Sequence, residues 1–398
     1  MSPLFVTLFF LRLSPLATAA DFTQVFEWDE MDFEWPSVEK RAQALENGIY
    51  DPENILPLYM AAHGPRVFLS LEKYRKIPVT LVSLPTKSAS SASPRLTPFP
   101  SWDMHEYTPW ENCNKIEEAK GLEVDSVGRL WVLDEGSSNS NCHAKLLIFD
   151  SYNHKTVLIH QFPFRYSLYD LVLDETVDRT FAYITRGTEN HIVVFNLESN
   201  KSWMVYMPRI MVHSIALSPK DHEPRKLYLS KYKSDELYSI PVAALHHGAG
   251  TTHPELIGFW NGIPKRLLID HNGTMYAAFY WRNYISSWNT SQPFQEQLFH
   301  DFSEQEPSAL TLALDENEIL WMTIFNSDKK PCFTLSKVSD GAKADIVEDP
   351  PEHLLMHLFD TILICTILII MVLLSLTIFW IILGKKMNIF LLQITNEG

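Results

Sequence analysis

Four polar side chains stand at one repeated offset. Asp170, Ser214, Arg266 and Thr311 each lie four residues before an Asp or Ser that opens a turn, at Asp174, Ser218, Asp270 and Asp315. A fifth copy of the offset, before Asp125, holds Gly121. Polar groups at one register position inside apolar runs read as a ring of side chains around a central channel, where such folds bind ligands. Two chemistries are open to Asp170. It can receive a cationic amine, or it can pair with Arg266. The ion pair is favoured, because buried charges need a partner.

Other chemistries lack a signature. No H-E-x-x-H and no C-x-x-C occurs, so there is no zinc motif, and no metal or cofactor is called for. Neither a G-x-S-x-G elbow nor a G-x-G-x-x-G phosphate loop is present. His246, His247 and His253 cluster near Gly residues and read as a mobile surface loop rather than a metal site. Carboxylates are abundant but no pair is marked out by spacing. Nothing in these residues forces an enzyme.

The elements that position the ring repeat down the chain. The clearest copy is Gly121–Gly136, GLEVDSVGRLWVLDEG, which reads as strand, tight turn at Asp125–Gly128, and second strand. LVLDETVDRTFAY, IALSPKDHEPRKLYL, LLIDHNGTMYAA and LALDENEILWM repeat it, and the turn residues step by 49, 44, 52 and 45 positions. A strand-built repeat of roughly 40–50 residues is the signature of a β-propeller blade. KLLIFD, HIVVFNL, ELYSIPV and SSWN supply outer strands. Arg66–Pro85 reads as a further blade with a diverged turn, making six between about residue 40 and residue 340. A β-sandwich also offers many short strands but requires no fixed long period.

The net charge of -15 and pI near 5.4 make nucleic acid a poor partner. Residues 1–20, with LFVTLFFL and ATAA before Asp21, look like a secretory signal peptide. Secretion would make Asn200, Asn272 and Asn289, each in an N-x-[ST] triplet, candidate glycan sites. It would also favour a disulfide between Cys113 and Cys142, which flank the central hairpin, leaving Cys332 without an obvious partner. Residues 21–340 form the expected propeller and 341–358 a stalk. Residues 359–384 hold the uncharged run Thr361–Leu383, of 23 residues, long enough to cross a bilayer. Lys385 and Lys386 follow it and place residues 385–398 in the cytoplasm, with the propeller outside.

The order of segments DFEWPS, RAQALENGIY, RVFLSL, IPVTL, GLEVDSVGRLWVLDEG, CHAKLLIFD and LYSIPVAAL resembles the insect yellow / major royal jelly protein family, from about residue 22 to residue 335. The resemblance implies a six-bladed propeller and a cysteine pair matching Cys113 and Cys142. In ligand-binding members a Thr on the last inner strand and an Asn 15 residues on contact an aromatic amine. Thr311 and Asn326 fit that spacing; the family's next aromatic falls at Asp328, and Phe325 is the candidate substitute. Departures stand at Arg186, where the family has Asp, at Ser202-Trp203-Met204, and at Phe325-Asn326-Ser327. The membrane anchor is not typical either.

The expectation is therefore an extracellular all-β propeller that binds a small catechol- or indole-type amine, in pigmentation, cuticle or development. Candidate contacts are Asp170, Ser214, Arg266, Thr311, Phe325 and Asn326. A dopachrome-converting tautomerase with Asp170 or a channel His as base is the enzymatic alternative. A calcium-dependent hydrolase ranks lower, because Arg266 shares the ring. A cell-surface interaction protein without catalysis is a fourth reading.

Overall fold

Strand-forming runs separated by turn residues close here into a ring. The computed structural model describes residues 20–73, 76–87, 93–105, 112–136, 141–302, 308–325 and 330–338. The signal peptide, stalk, membrane-spanning and cytoplasmic segments, with Asn326 and Asp328, lie outside those residues. Among the described residues no helix is long and apolar enough to cross a membrane.

Among the described residues there are six sheets, antiparallel except where the short Gly250–Thr251 strand joins Lys201–Tyr206 in parallel. Their innermost strands are Pro57–His63, Ala119–Val124, Leu171–Glu175, Val212–Leu217, Pro264–Ile269 and Ser308–Leu314. The expected outer strands are the third strands of blades two to five, at Lys145–Asp150, His191–Asn196, Glu236–Pro241 and Tyr284–Asn289. Blade one starts earlier than the sequence suggested: Arg66–Leu71 is its second strand, and Pro57–His63 is the inner one. The ring is closed by Phe22–Trp28, which pairs antiparallel with Phe333–Val338 and becomes the outer strand of blade six. Sequence reading began the blades near residue 40 and missed this strand.

Six apolar clusters fill the spaces between neighbouring blades. The one at the closure, between blades six and one, also takes Phe33 and Tyr50 from the segment around the Val38–Glu46 helix. Ser37 caps that helix by accepting from the Lys40 N–H.

The recurring turn Asp has a physical cause. Asp125 accepts from the Arg129 N–H at 2.8 Å and, through its other oxygen, from the Trp131 indole at 2.9 Å. Asp270 does the same with the Thr274 N–H and the Tyr276 hydroxyl, and Asp315 with the Ile319 N–H and the Trp321 indole. The carboxylate thus ties the turn to an aromatic six residues on, in the next strand. The fourth turn residue has a left-handed backbone, at φ 82° for Gly128 and 80° for Gly273. Ser218 keeps only the backbone bond, to the Lys226 N–H.

Candidate functional site: a sealed ring and an aromatic mouth

Five of the six inner strands carry a register shift near their first residues, between Pro57 and Tyr59, Ala119 and Leu122, Val212 and Ser214, Pro264 and Arg266, and Ala309 and Thr311. A bulge re-aims the side chains beside it. Two layers result at the channel.

The lower layer is the ring read from sequence. Asp170, Ser214, Arg266 and Thr311 are all fully or almost fully buried. Arg266 forms a buried ion pair with Asp170. Asp170 also accepts from the Ser214 hydroxyl at 2.7 Å, from the Ile215 N–H at 3.1 Å and from its own Leu171 N–H at 2.9 Å. Ser214 in turn accepts from the Leu267 N–H at 3.0 Å, stitching blades three, four and five. These contacts fill the acceptor directions of Asp170 within the fold and pair its charge with Arg266. The same saturation, with a guanidinium alongside, is a donor set hostile to a calcium ion. Tyr59 completes this layer from blade one, its ring centroid 5.6 Å from the Arg266 guanidinium carbon. Gly121 stands at the fifth position because blade three runs against it: a Cβ there would lie 2.7 Å from the Tyr169 carbonyl oxygen. Thr311 is buried, and its hydroxyl has no partner among the described residues. Phe325 packs on Phe333, 4.8 Å between centroids, in the cluster at the ring closure.

Below the ring, a cavity of about 700 Å³ opens between the hairpin turns. Arg266 and Glu123 line its floor, 3.9 Å apart. Burial pushes the Glu123 carboxyl up to about 7 against the pull of Arg266. The turns around it are clasped blade to blade, Glu175 accepting from the Ser126 N–H and Glu316 from the Gly64 N–H.

The upper layer is one residue earlier on each strand, and sequence reasoning missed it. Lys120, Tyr169, His213 and Lys265 occupy it. Tyr232 and Tyr280 join them from just past the ends of the second strands of blades four and five. His213 is 5.0 Å from Tyr169, 5.9 Å from Tyr232 and 5.7 Å from Tyr280 between centroids. The Tyr280 hydroxyl lies 2.8 Å from His213 Nε2, while Nδ1 is buried without a partner among the described residues. Burial, outweighing the attraction of Asp170, pulls His213 down to about 4, so the imidazole is neutral at ordinary pH. Gly187 lets the Tyr169 ring lie against the backbone; a Cβ there would stand 2.6 Å from it. At the rim, Trp281 is 84% exposed and lies beside Tyr280, the ring centroids 5.4 Å apart and the planes tilted by 41°. Its φ of 54° is costly for so bulky a residue, and such strain gathers at binding sites. Lys120 bridges Glu118 at 2.7 Å and Glu135 at 3.3 Å, and Glu135 accepts from the Ser167 N–H.

The departures from the family pattern are accounted for locally. Arg186 lays its guanidinium 3.9 Å over the Phe164 ring and bonds His191. Trp203 donates its indole N–H to the Leu245 carbonyl, and Ser202 bonds His160. His246 is exposed just past the short Val242–Leu245 helix, where it stacks on Phe181 at 4.3 Å and bonds the Tyr183 hydroxyl at 2.8 Å. Cys113 and Cys142 are bonded to each other, and Cys332 is free. Asn200, Asn272 and Asn289 are exposed, the first two in turns and the third at the end of the Tyr284–Asn289 strand.

The profile of the major royal jelly protein family matches residues 119–214 and 209–339. The chain belongs to that family. It is 25% identical over 370 residues to protein yellow of Drosophila guanche, covering 81% of this chain and 64% of that one. Against protein yellow of Drosophila melanogaster it is 24% identical over 372 residues, covering 81% of this chain and 68% of that one. The chain thus spans about two thirds of the length of these relatives. Among solved structures, a chain of a nidogen/laminin complex is similar with a TM-score of 0.44 at 10% identity, over 67% of this chain and 84% of that one. A catalytically inactive virginiamycin B lyase from Staphylococcus aureus, with quinupristin, gives 0.43 at 10% identity, over 72% and 96%.

Proposed function

We propose that this chain is a secreted, yellow-like propeller that binds a small aromatic ligand, a catechol- or indole-type amine, in the upper mouth of its channel, and acts in pigmentation, cuticle or development. The observation that carries the reading is the convergence of Tyr169, His213, Tyr232 and Tyr280 above a floor already closed by Asp170 and Arg266. Ring faces and hydroxyl tips suit a flat, hydroxylated guest. Family membership and the name of the yellow relatives support the biological setting. Titration calorimetry with dopamine, serotonin and octopamine tests it: saturable binding that Tyr280→Ala abolishes is expected, and no heat with any of the three overturns it.

One observation favours an enzymatic second reading. A neutral, buried His213 held by Tyr280 is the proton carrier a dopachrome tautomerisation needs, with no metal step. Loss of dopachrome colour above the uncatalysed rate, removed by His213→Gln, supports it; an unchanged rate with wild-type protein rejects it.

A further inference from the structure

Lys265 is an upper-layer amine with no role in the readings above. It sits in the register shift between Pro264 and Arg266, the same position that His213 takes in blade four. Lys120, its counterpart in blade two, is held by two carboxylates, whereas Lys265 has no ion pair or hydrogen bond from its side chain among the described residues. Its Nζ lies 5.9 Å from the Tyr280 ring centroid. Tyr280 in turn reaches His213. A primary amine with no direct ion pair among the described residues, half-buried beside the Tyr280 ring and its hydroxyl–imidazole pair, is the set of groups that carbonyl capture requires.

We infer that Lys265 is a carbonyl-reactive amine, and that the upper mouth holds small aromatic aldehydes as an imine on Lys265 Nζ. The inference rests on the proposed binding of small aromatic ligands at that mouth. The nitrogen lone pair forms the C–N bond while the carbonyl π pair moves to oxygen, which takes a proton. The nitrogen then loses its remaining protons, the C=N bond forms, and the oxygen leaves as water. Tyr280 and His213 are the groups at hand to pass those protons. Burial, only partly offset by Glu72, lowers the Lys265 amine to about 8, which leaves far more free base at neutral pH than an ordinary lysine near 10.4 has.

The test is reductive trapping. The purified chain is incubated at pH 7 with 4-hydroxybenzaldehyde and cyanoborohydride, and adducts are mapped by peptide mass spectrometry. Lys265 is expected to be labelled about tenfold or more faster than any other lysine, given its larger free-base fraction. Label spread over surface lysines, with Lys265 not ahead, overturns the inference. Because the wild-type map decides this, a misfolded Lys265→Arg variant would not obscure it; where that variant folds, the fast adduct disappears. Parallel titration with 4-hydroxybenzyl alcohol, which keeps the ring and lacks the carbonyl, separates the two claims. Binding of the alcohol without trapping refutes the imine alone. Selective trapping without alcohol binding upholds the imine and refutes the general aromatic site.

Discussion

Replacing Asp170 by Asn should cost stability rather than selectivity. The carboxylate is completely buried and answers four donors: Arg266, the Ser214 hydroxyl, and the N–H groups of Leu171 and Ile215. An amide keeps one acceptor oxygen but turns N–H bonds toward groups that also donate, and it leaves the Arg266 guanidinium buried without a counter-charge. Breaking a buried pair from one side costs about 3–5 kcal/mol. For a domain of this size that corresponds to a fall in Tm of roughly 6–15 °C. Urea unfolding followed by tryptophan fluorescence measures it. Removing the other charge as well, in Asp170→Asn with Arg266→Met, should recover about 1–3 kcal/mol of that loss, because the stranded cation is gone. The protein that remains folded should bind aromatic ligand with unchanged affinity. A stability change below about 1 kcal/mol would refute the sealing role. So would a selective loss of amine affinity at full stability.

Three further outcomes follow from the same geometry. His213 and His105 are both lowered to about 4, chiefly by burial, against about 6.5 in the unfolded chain. The unfolded state therefore binds more protons between those values, so stability is full above pH 6.5 and falls as pH drops, by about 1.4 kcal/mol per pH unit for each histidine. Urea midpoints between pH 4.5 and 7 should show that slope, and His213→Gln should remove about half of it. Gly121→Ala should lose roughly 1–3 kcal/mol by urea unfolding, because the new methyl meets the blade-three backbone rather than a side chain that can move. Replacing Cys113 and Cys142 together by Ala opens a 29-residue separation and should cost about 3 kcal/mol, seen as a lower Tm that reductant no longer shifts.

The blades were legible because three of the turns repeat one physical device. Asp125, Asp270 and Asp315 hold a turn and an aromatic together, so the same residue types had to recur at nearly the same spacing. The sealed ring was legible for a related reason: it lies at a fixed distance from those turns. The mouth was not, because a bulge adds a residue and the two-residue alternation of a strand no longer says which side chain faces the channel. Lys120, Tyr169, His213 and Lys265 stood one position before the ring, and their run of charged and aromatic types was the signal to find. The closing strand Phe22–Trp28 was hidden for another reason. Its partner, Phe333–Val338, lies at the far end of the propeller sequence, and local patterning carries no information about such pairing.

The most direct test of the account compares two substitutions by titration calorimetry with dopamine as the probe. Tyr169→Ala alters the mouth, and Glu175→Gln alters the far end of the channel, where the carboxylate clasps Ser126. The account predicts saturable binding by the wild type, lost in Tyr169→Ala and kept in Glu175→Gln. Binding that survives Tyr169→Ala and disappears with Glu175→Gln would place the ligand in the lower cavity and contradict it.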